Sequence, residues 1–92
     1  MKPTFLELRH LRTLLALKET GSVSMAAKRV YLTQSALSHQ IKLMEEQFGL
    51  PLFERKSNPL RFTAAGDRLI RLANEILPKV VDAERELARV KH

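Results

Sequence analysis

The chain contains no cysteine, so no disulfide framework supports it and no thiolate is available as a metal ligand; this is compatible with a reducing cytosol. Its three histidines are dispersed, so no metal site is indicated. With only three glycines, the phosphate-loop and dinucleotide-binding glycine patterns are both missing. No apolar run approaches the roughly 18 to 20 residues of a membrane-spanning helix, and the N-terminus MKPTFLELRHLRTL is interrupted by charge too often for a signal peptide. The expectation is a soluble, cytoplasmic protein without a cofactor.

What remains is a chain of 92 residues, 45% hydrophobic and 28% charged, a composition that suits one small domain around one core. Sixteen Lys and Arg against ten Asp and Glu give a net charge of +6, which favours an anionic partner such as nucleic acid or a membrane surface.

Apolar spacing predicts a first helix over residues 4–19, with Leu8, Leu11 and Leu15 flanked by Phe5, Leu14 and Leu17. Gly21 suits a left-handed cap, and Ser22 can cap a second helix over 23–31, where Ala26 and Ala27 allow close approach of a neighbour. Thr33 then caps a third helix, in which Leu37, Ile41, Met44 and Phe48 recur at spacings of four, three and four. Gly49 and Pro51 end it, and the runs LPLFER and LRFT around KSNP predict a two-stranded hairpin. Thr63 can cap a last helix running toward the chain end, with Asp67 in its first turn. The fold class expected is mainly α: a winged helix-turn-helix over residues 1–63 and a long linker helix over 64–92.

The third helix carries the residues of interest. At about 100° per residue, Ser35, His39, Lys42 and Glu46 fall opposite the apolar stripe, with Gln34 and Ser38 on the flanks. Gln can pair bidentately with adenine, Ser can donate or accept, and the free amides of a helix N-terminus can bind phosphate, so this face suits a base-pair edge in the major groove. The plainer alternatives are a solvated face with no partner, or a winged-helix module that meets another protein. A catalytic reading of Ser35 and His39, one turn apart, fails on surroundings: no Gly-rich turn offers an oxyanion hole, Lys42 precedes the acid Glu46, and an open helix face excludes no water.

The stretch GSVSMAAKRVYLTQSALSHQIKLMEEQFGLPLFERKSNPLRFTAAG resembles the N-terminal DNA-binding domain of LysR-type bacterial transcriptional regulators. Gln34 with Ala36-Leu37-Ser38, Gln40-Ile41, Leu52-Phe53 with Arg55, and Thr63 with Ala65-Gly66 fall in the family's order. The resemblance implies DNA contacts by Thr33, Gln34, Ser35, Ser38, His39 and Lys42; by chemistry, Gln34, Ser35 and His39 face base edges while Ser38 and Lys42 face phosphates. Ser35 stands where many members have Pro, and His39 where many have Arg, replacing a fixed fork by a contact that depends on protonation. Arg55, Lys56 and Arg61 would form a basic wing able to enter the minor groove of an A·T-rich flank. QSALSHQ and RKSNPLRFT are similar to the branch controlling methionine-biosynthesis genes, which implies homocysteine as co-inducer of the full-length protein. The resemblance also implies a C-terminal effector domain outside this chain.

Along the last helix Leu69, Ala73, Ile76, Val80, Ala83, Leu87 and Val90 alternate spacings of four and three, the seam of a coiled coil. Self-association through this helix is expected, and the family's linker pairing would set two recognition helices about one duplex turn, ~34 Å, apart on dyad-symmetric DNA. Pro78 interrupts the pattern and predicts a kink near Asn74 or fraying beyond it.

Overall fold

A computed structural model describes residues 3–54 and 56–91. Four helices follow one another, α1 (Leu8–Thr20), α2 (Val23–Arg29), α3 (Gln34–Phe48) and α4 (Ala64–Val90), with a small wing between α3 and α4. α1 packs against α4 and α2, and α2 against α3. The mainly α winged helix-turn-helix order is the one expected.

Three of the caps have the chemistry read from the sequence. The side-chain oxygens of Ser22, Thr33 and Thr63 accept from the N–H groups of Met25, Ala36 and Gly66 at 3.2, 3.0 and 3.2 Å, each satisfying an amide that the first helical turn leaves free. Gly21 and Gly49 both take up left-handed backbone, with φ of 67° and 66°, where a side chain would be strained.

α1 differs from expectation at its start, which is Leu8 rather than residue 4. The side chain of His10 turns back, and its Nδ1 accepts the Glu7 N–H at 2.9 Å. Phe5 stacks on the same imidazole, with centroids 5.0 Å apart and planes 11° from parallel. Phe5 therefore covers the helix entrance from the preceding segment instead of extending the helical stripe. α2 is also shorter than expected: it ends at Arg29, and Tyr31 takes a left-handed φ of 59° as the chain turns toward Thr33.

The core joins every element. Leu14 and Leu17 of α1, Leu37 and Met44 of α3 and Leu52 of the wing are fully buried, and they cluster with Ala26 and Ala27 of α2 and Ile70 of α4. Phe48, the last member of the α3 stripe, is 40% exposed and meets Phe5 edge-on instead of entering the core. The expected hairpin is reduced, among the described residues, to one antiparallel bridge between Phe53 and Phe62. Hydrogen bonds from Glu54 N–H to the Arg61 carbonyl and from Thr63 N–H to the Leu52 carbonyl, both 3.0 Å, flank that bridge.

α4 begins where the linker was expected, yet its first turns belong to the same core: Gly66, Ile70 and Ala73 are buried. Ala73, read as a seam residue, has no exposed surface in the single chain, so intramolecular packing already covers it. Leu69, Ile76 and Val80 are partly buried, whereas Ala83, Leu87 and Val90 are exposed. Pro78, expected to bring a kink near Asn74 or fraying beyond it, lies inside α4, which keeps helical structure through to Val90. Asn74 and Pro78 are both exposed, so water can satisfy the carbonyl that loses its amide donor.

Two outcomes follow from this packing. A Cβ at Gly66 would collide with the Leu52 carbonyl oxygen and lie 2.9 Å from Phe62, so Gly66→Ala is expected to cost about 1–3 kcal/mol in urea denaturation. Burial, reinforced by the neighbouring Arg9 charge and partly offset by Glu7, holds the His10 imidazole below its ordinary range. In the unfolded chain its pKa is about 6.5, so below that pH the unfolded state binds more protons and stability falls as pH drops through the folded value. Denaturation midpoints measured from about pH 7.5 to about pH 5 should show this loss, and His10→Gln should flatten it.

Candidate nucleic-acid interface

Leu37, Ile41 and Met44 enter the core from one side of α3, and this fixes the rotation of the helix about its axis. Gln34, Ser35, Ser38, His39 and Lys42 are consequently exposed together, with Thr33 exposed at the cap. All six of the residues expected on α3 thus lie at one edge or at its N-terminal end. The first turn contains no acidic residue, so the positive end of the helix dipole there is uncompensated. The edge carries no Asp, Glu, Lys or Arg over its first turns and is hydrogen-bond capable throughout, which suits flat, patterned donor and acceptor surfaces.

The other end of α3 is tied to the wing. Glu45 Oε2 accepts the Leu52 N–H at 2.7 Å, and Thr63, while capping α4, donates its hydroxyl to the Pro51 carbonyl at 2.6 Å. From the opposite side, the Lys18 ammonium lies 5.6 Å from the Phe62 ring centroid, and Leu60 N–H reaches the Gly21 carbonyl at 3.4 Å. These contacts hold the wing against the body that carries α3.

Within the wing, Ser57 Oγ accepts the Arg61 N–H at 2.9 Å and donates to the Glu54 carbonyl at 3.0 Å, which closes the turn. Lys56 and Arg61 are exposed. Neither makes an ion pair among the described residues, where the pairs are Arg9 with Glu7 and Arg29 with Glu19. Arg55, expected in the same wing, lies outside the described residues.

The sequence reading missed His10, whose spacing of four and seven from Leu14 and Leu17 does put it on the core stripe. It also missed Glu45 as the anchor of Leu52, since nothing in residue spacing links a helix carboxylate to an amide seven positions later.

With this arrangement established, comparison with known proteins is decisive for the family. Residues 8–67 match the sequence profile of the bacterial regulatory helix-turn-helix proteins of the lysR family.

The chain belongs to the LysR family.

Among its relatives, the transcriptional regulator MetR of Haemophilus influenzae is 89% identical over the whole of this chain, which spans 30% of that regulator. MetR of Escherichia coli K12 is 50% identical over 85% of this chain and 25% of the relative. Solved structures agree: the BenM DNA-binding domain bound to benA site 1 DNA has a TM-score of 0.84 and 35% identity over 94% of this chain and 97% of that one. The CbnR DNA-binding domain, also in a DNA complex, has a TM-score of 0.79 and 28% identity over 95% of this chain and all of that one. The LysR-family fold therefore extends further along α4 than the profile match, which ends at residue 67.

Proposed function

We propose that this LysR-family chain binds double-stranded DNA in a sequence-dependent way and is the DNA-reading part of a transcriptional regulator. The observation that carries the reading is the edge of Gln34, Ser35, Ser38 and His39, free of Asp, Glu, Lys and Arg and held outward by the buried Leu37, Ile41 and Met44. Gln34, Ser35 and His39 present amide, hydroxyl and imidazole groups to base edges, while Ser38 and Lys42 meet phosphates on either side. Thr33 positions the helix N-terminus, whose amides add a further anion-binding surface. Lys56 and Arg61, joined by Arg55, supply positive charge at the flanking minor groove. The names of the relatives and the DNA complexes of the structural neighbours support this reading.

In the same reading two copies pair through the distal part of α4, where Val80, Ala83, Leu87 and Val90 continue the seam beyond the core. Leu87 and Val90 remain 68% and 81% exposed in the single chain, an arrangement that a partner helix would relieve. The target is then dyad-symmetric and A·T-flanked. Similarity to regulators named MetR supports placing the whole protein in that branch; control of methionine-biosynthesis genes with homocysteine as co-inducer is the part of the reading carried by the resemblance of QSALSHQ and RKSNPLRFT.

Selection on randomised duplexes followed by binding titrations tests the DNA reading. Gln34→Ala should relax base preference with little change in salt dependence. Arg61→Ala should weaken binding to all sequences and lower the salt slope by about one unit per lost phosphate contact. Equal effects of the two substitutions on both quantities would count against the division of roles. For pairing, Val80→Asp should sediment as a monomer under conditions where the parent chain is a dimer, and an unchanged dimer would remove the distal seam from the interface.

A further inference from the structure

A furrow runs beside α3 on the flank opposite the wing tie, and it joins α1 to the turn that precedes the recognition helix. Two adjoining cavities form it, of about 390 and 210 Å³, and Arg9, Leu32 and Gln40 line both. The first also takes in Arg12, Arg29 and Tyr31. The second reaches Ala36 and His39, and so opens onto the reading edge itself. Three arginines, Arg9, Arg12 and Arg29, thus line a groove continuous with the surface proposed to face DNA.

Two features of this furrow have no return inside the chain. Tyr31 adopts a left-handed backbone with φ of 59° and leaves its side chain 95% exposed, a combination that costs conformational energy while burying almost nothing. Gln40, on the wall shared by both cavities, keeps a buried Oε1 with no hydrogen-bond partner among the described residues. Arg12 makes no ion pair among the described residues, while Arg9 and Arg29 are held only by exposed pairs at 3.3 and 2.6 Å, which contribute little and exchange readily.

We propose that Arg9, Arg12 and Tyr31 form a second phosphate clamp, gripping the backbone of the duplex alongside the strand edge that α3 enters. Charge selects the occupant: Arg forks and a phenol hydroxyl match phosphate oxygens, and a polyanion whose phosphates recur along the groove wall meets several donors at once. Continuity with His39 places that backbone on the same duplex, so the inference rests on the DNA reading above. The clamp adds affinity and orientation without base preference.

The test uses the full chain, with fluorescence anisotropy on its selected duplex and on a random duplex over a range of salt. Arg9→Ala with Arg12→Ala should weaken both duplexes by a similar factor and reduce the salt slope by about 0.9 per phosphate lost. The corresponding double Lys variant should retain the slope. Tyr31→Phe should weaken both duplexes without altering base preference, and ethylation interference should lose phosphate positions that Gln34→Ala retains. Thermal melting confirms that the exposed substitutions leave the fold intact. Arg85→Ala, on distal α4, should leave the slope unchanged. If the folded double Ala variant keeps the parent slope while Arg61→Ala still lowers it, the clamp is wrong and the DNA reading stands. If the parent chain shows no salt-dependent duplex binding, the DNA reading itself fails.

Discussion

Burial of one face of α3 is the constraint on which the rest of the molecule depends. Leu37 and Met44 have no exposed surface and Ile41 very little, and each such side chain contributes about 1.5–3 kcal/mol relative to leaving it in water. Sliding the helix by one residue would rotate it by about 100° and carry polar groups into that core. The penalty keeps α3 in one rotational setting. Everything presented on its far side, from Gln34 to Lys42, inherits its direction from this apolar packing and not from any contact of its own.

The ends of the helix are secured by hydrogen bonds that connect it to neighbouring elements. Thr33 caps the start, Gly49 turns the chain at the end, and Glu45 holds the Leu52 amide. Leu52 is itself in the core, so the wing is coupled to α3 both by an apolar contact and by a charge-assisted hydrogen bond. Thr63 then links the wing to α4 by capping one and bonding the other. Lys and Arg are distributed around this frame, on α1, on α2 and in the wing, while the leading edge of α3, from Gln34 to His39, carries none. Such a division separates nonspecific electrostatic attraction from hydrogen-bond patterning, the two components into which duplex recognition resolves.

The long helix α4 serves two environments. Its first turns complete the domain core through Gly66, Ile70 and Ala73, and its last turns project Leu87 and Val90 into solvent. A four-three apolar spacing runs through both, because the same periodicity serves a helix packed on its own domain and a helix packed on a partner. Pro78 lies between these regions on an exposed face, where the missing hydrogen bond is least costly.

Residue spacing and cap chemistry alone determined the order of helices, the caps at Ser22, Thr33 and Thr63, the buried stripe of α3 and the outward placement of its polar edge. These are local properties: a helix period and an N-cap depend on neighbours three or four positions away. The tertiary structure decided where that locality ended. His10 folding back onto Glu7 beneath Phe5 shortened α1, packing within the single chain buried Ala73, and the wing showed one bridge, between Phe53 and Phe62, among the described residues. The furrow of Arg9, Arg12, Arg29 and Tyr31 belongs to the same class, since its residues come from separate elements and meet only when α1 and α2 pack. A one-dimensional pattern identifies which face of a helix is apolar, but what covers that face, and which distant charges converge beside it, follows from three-dimensional packing.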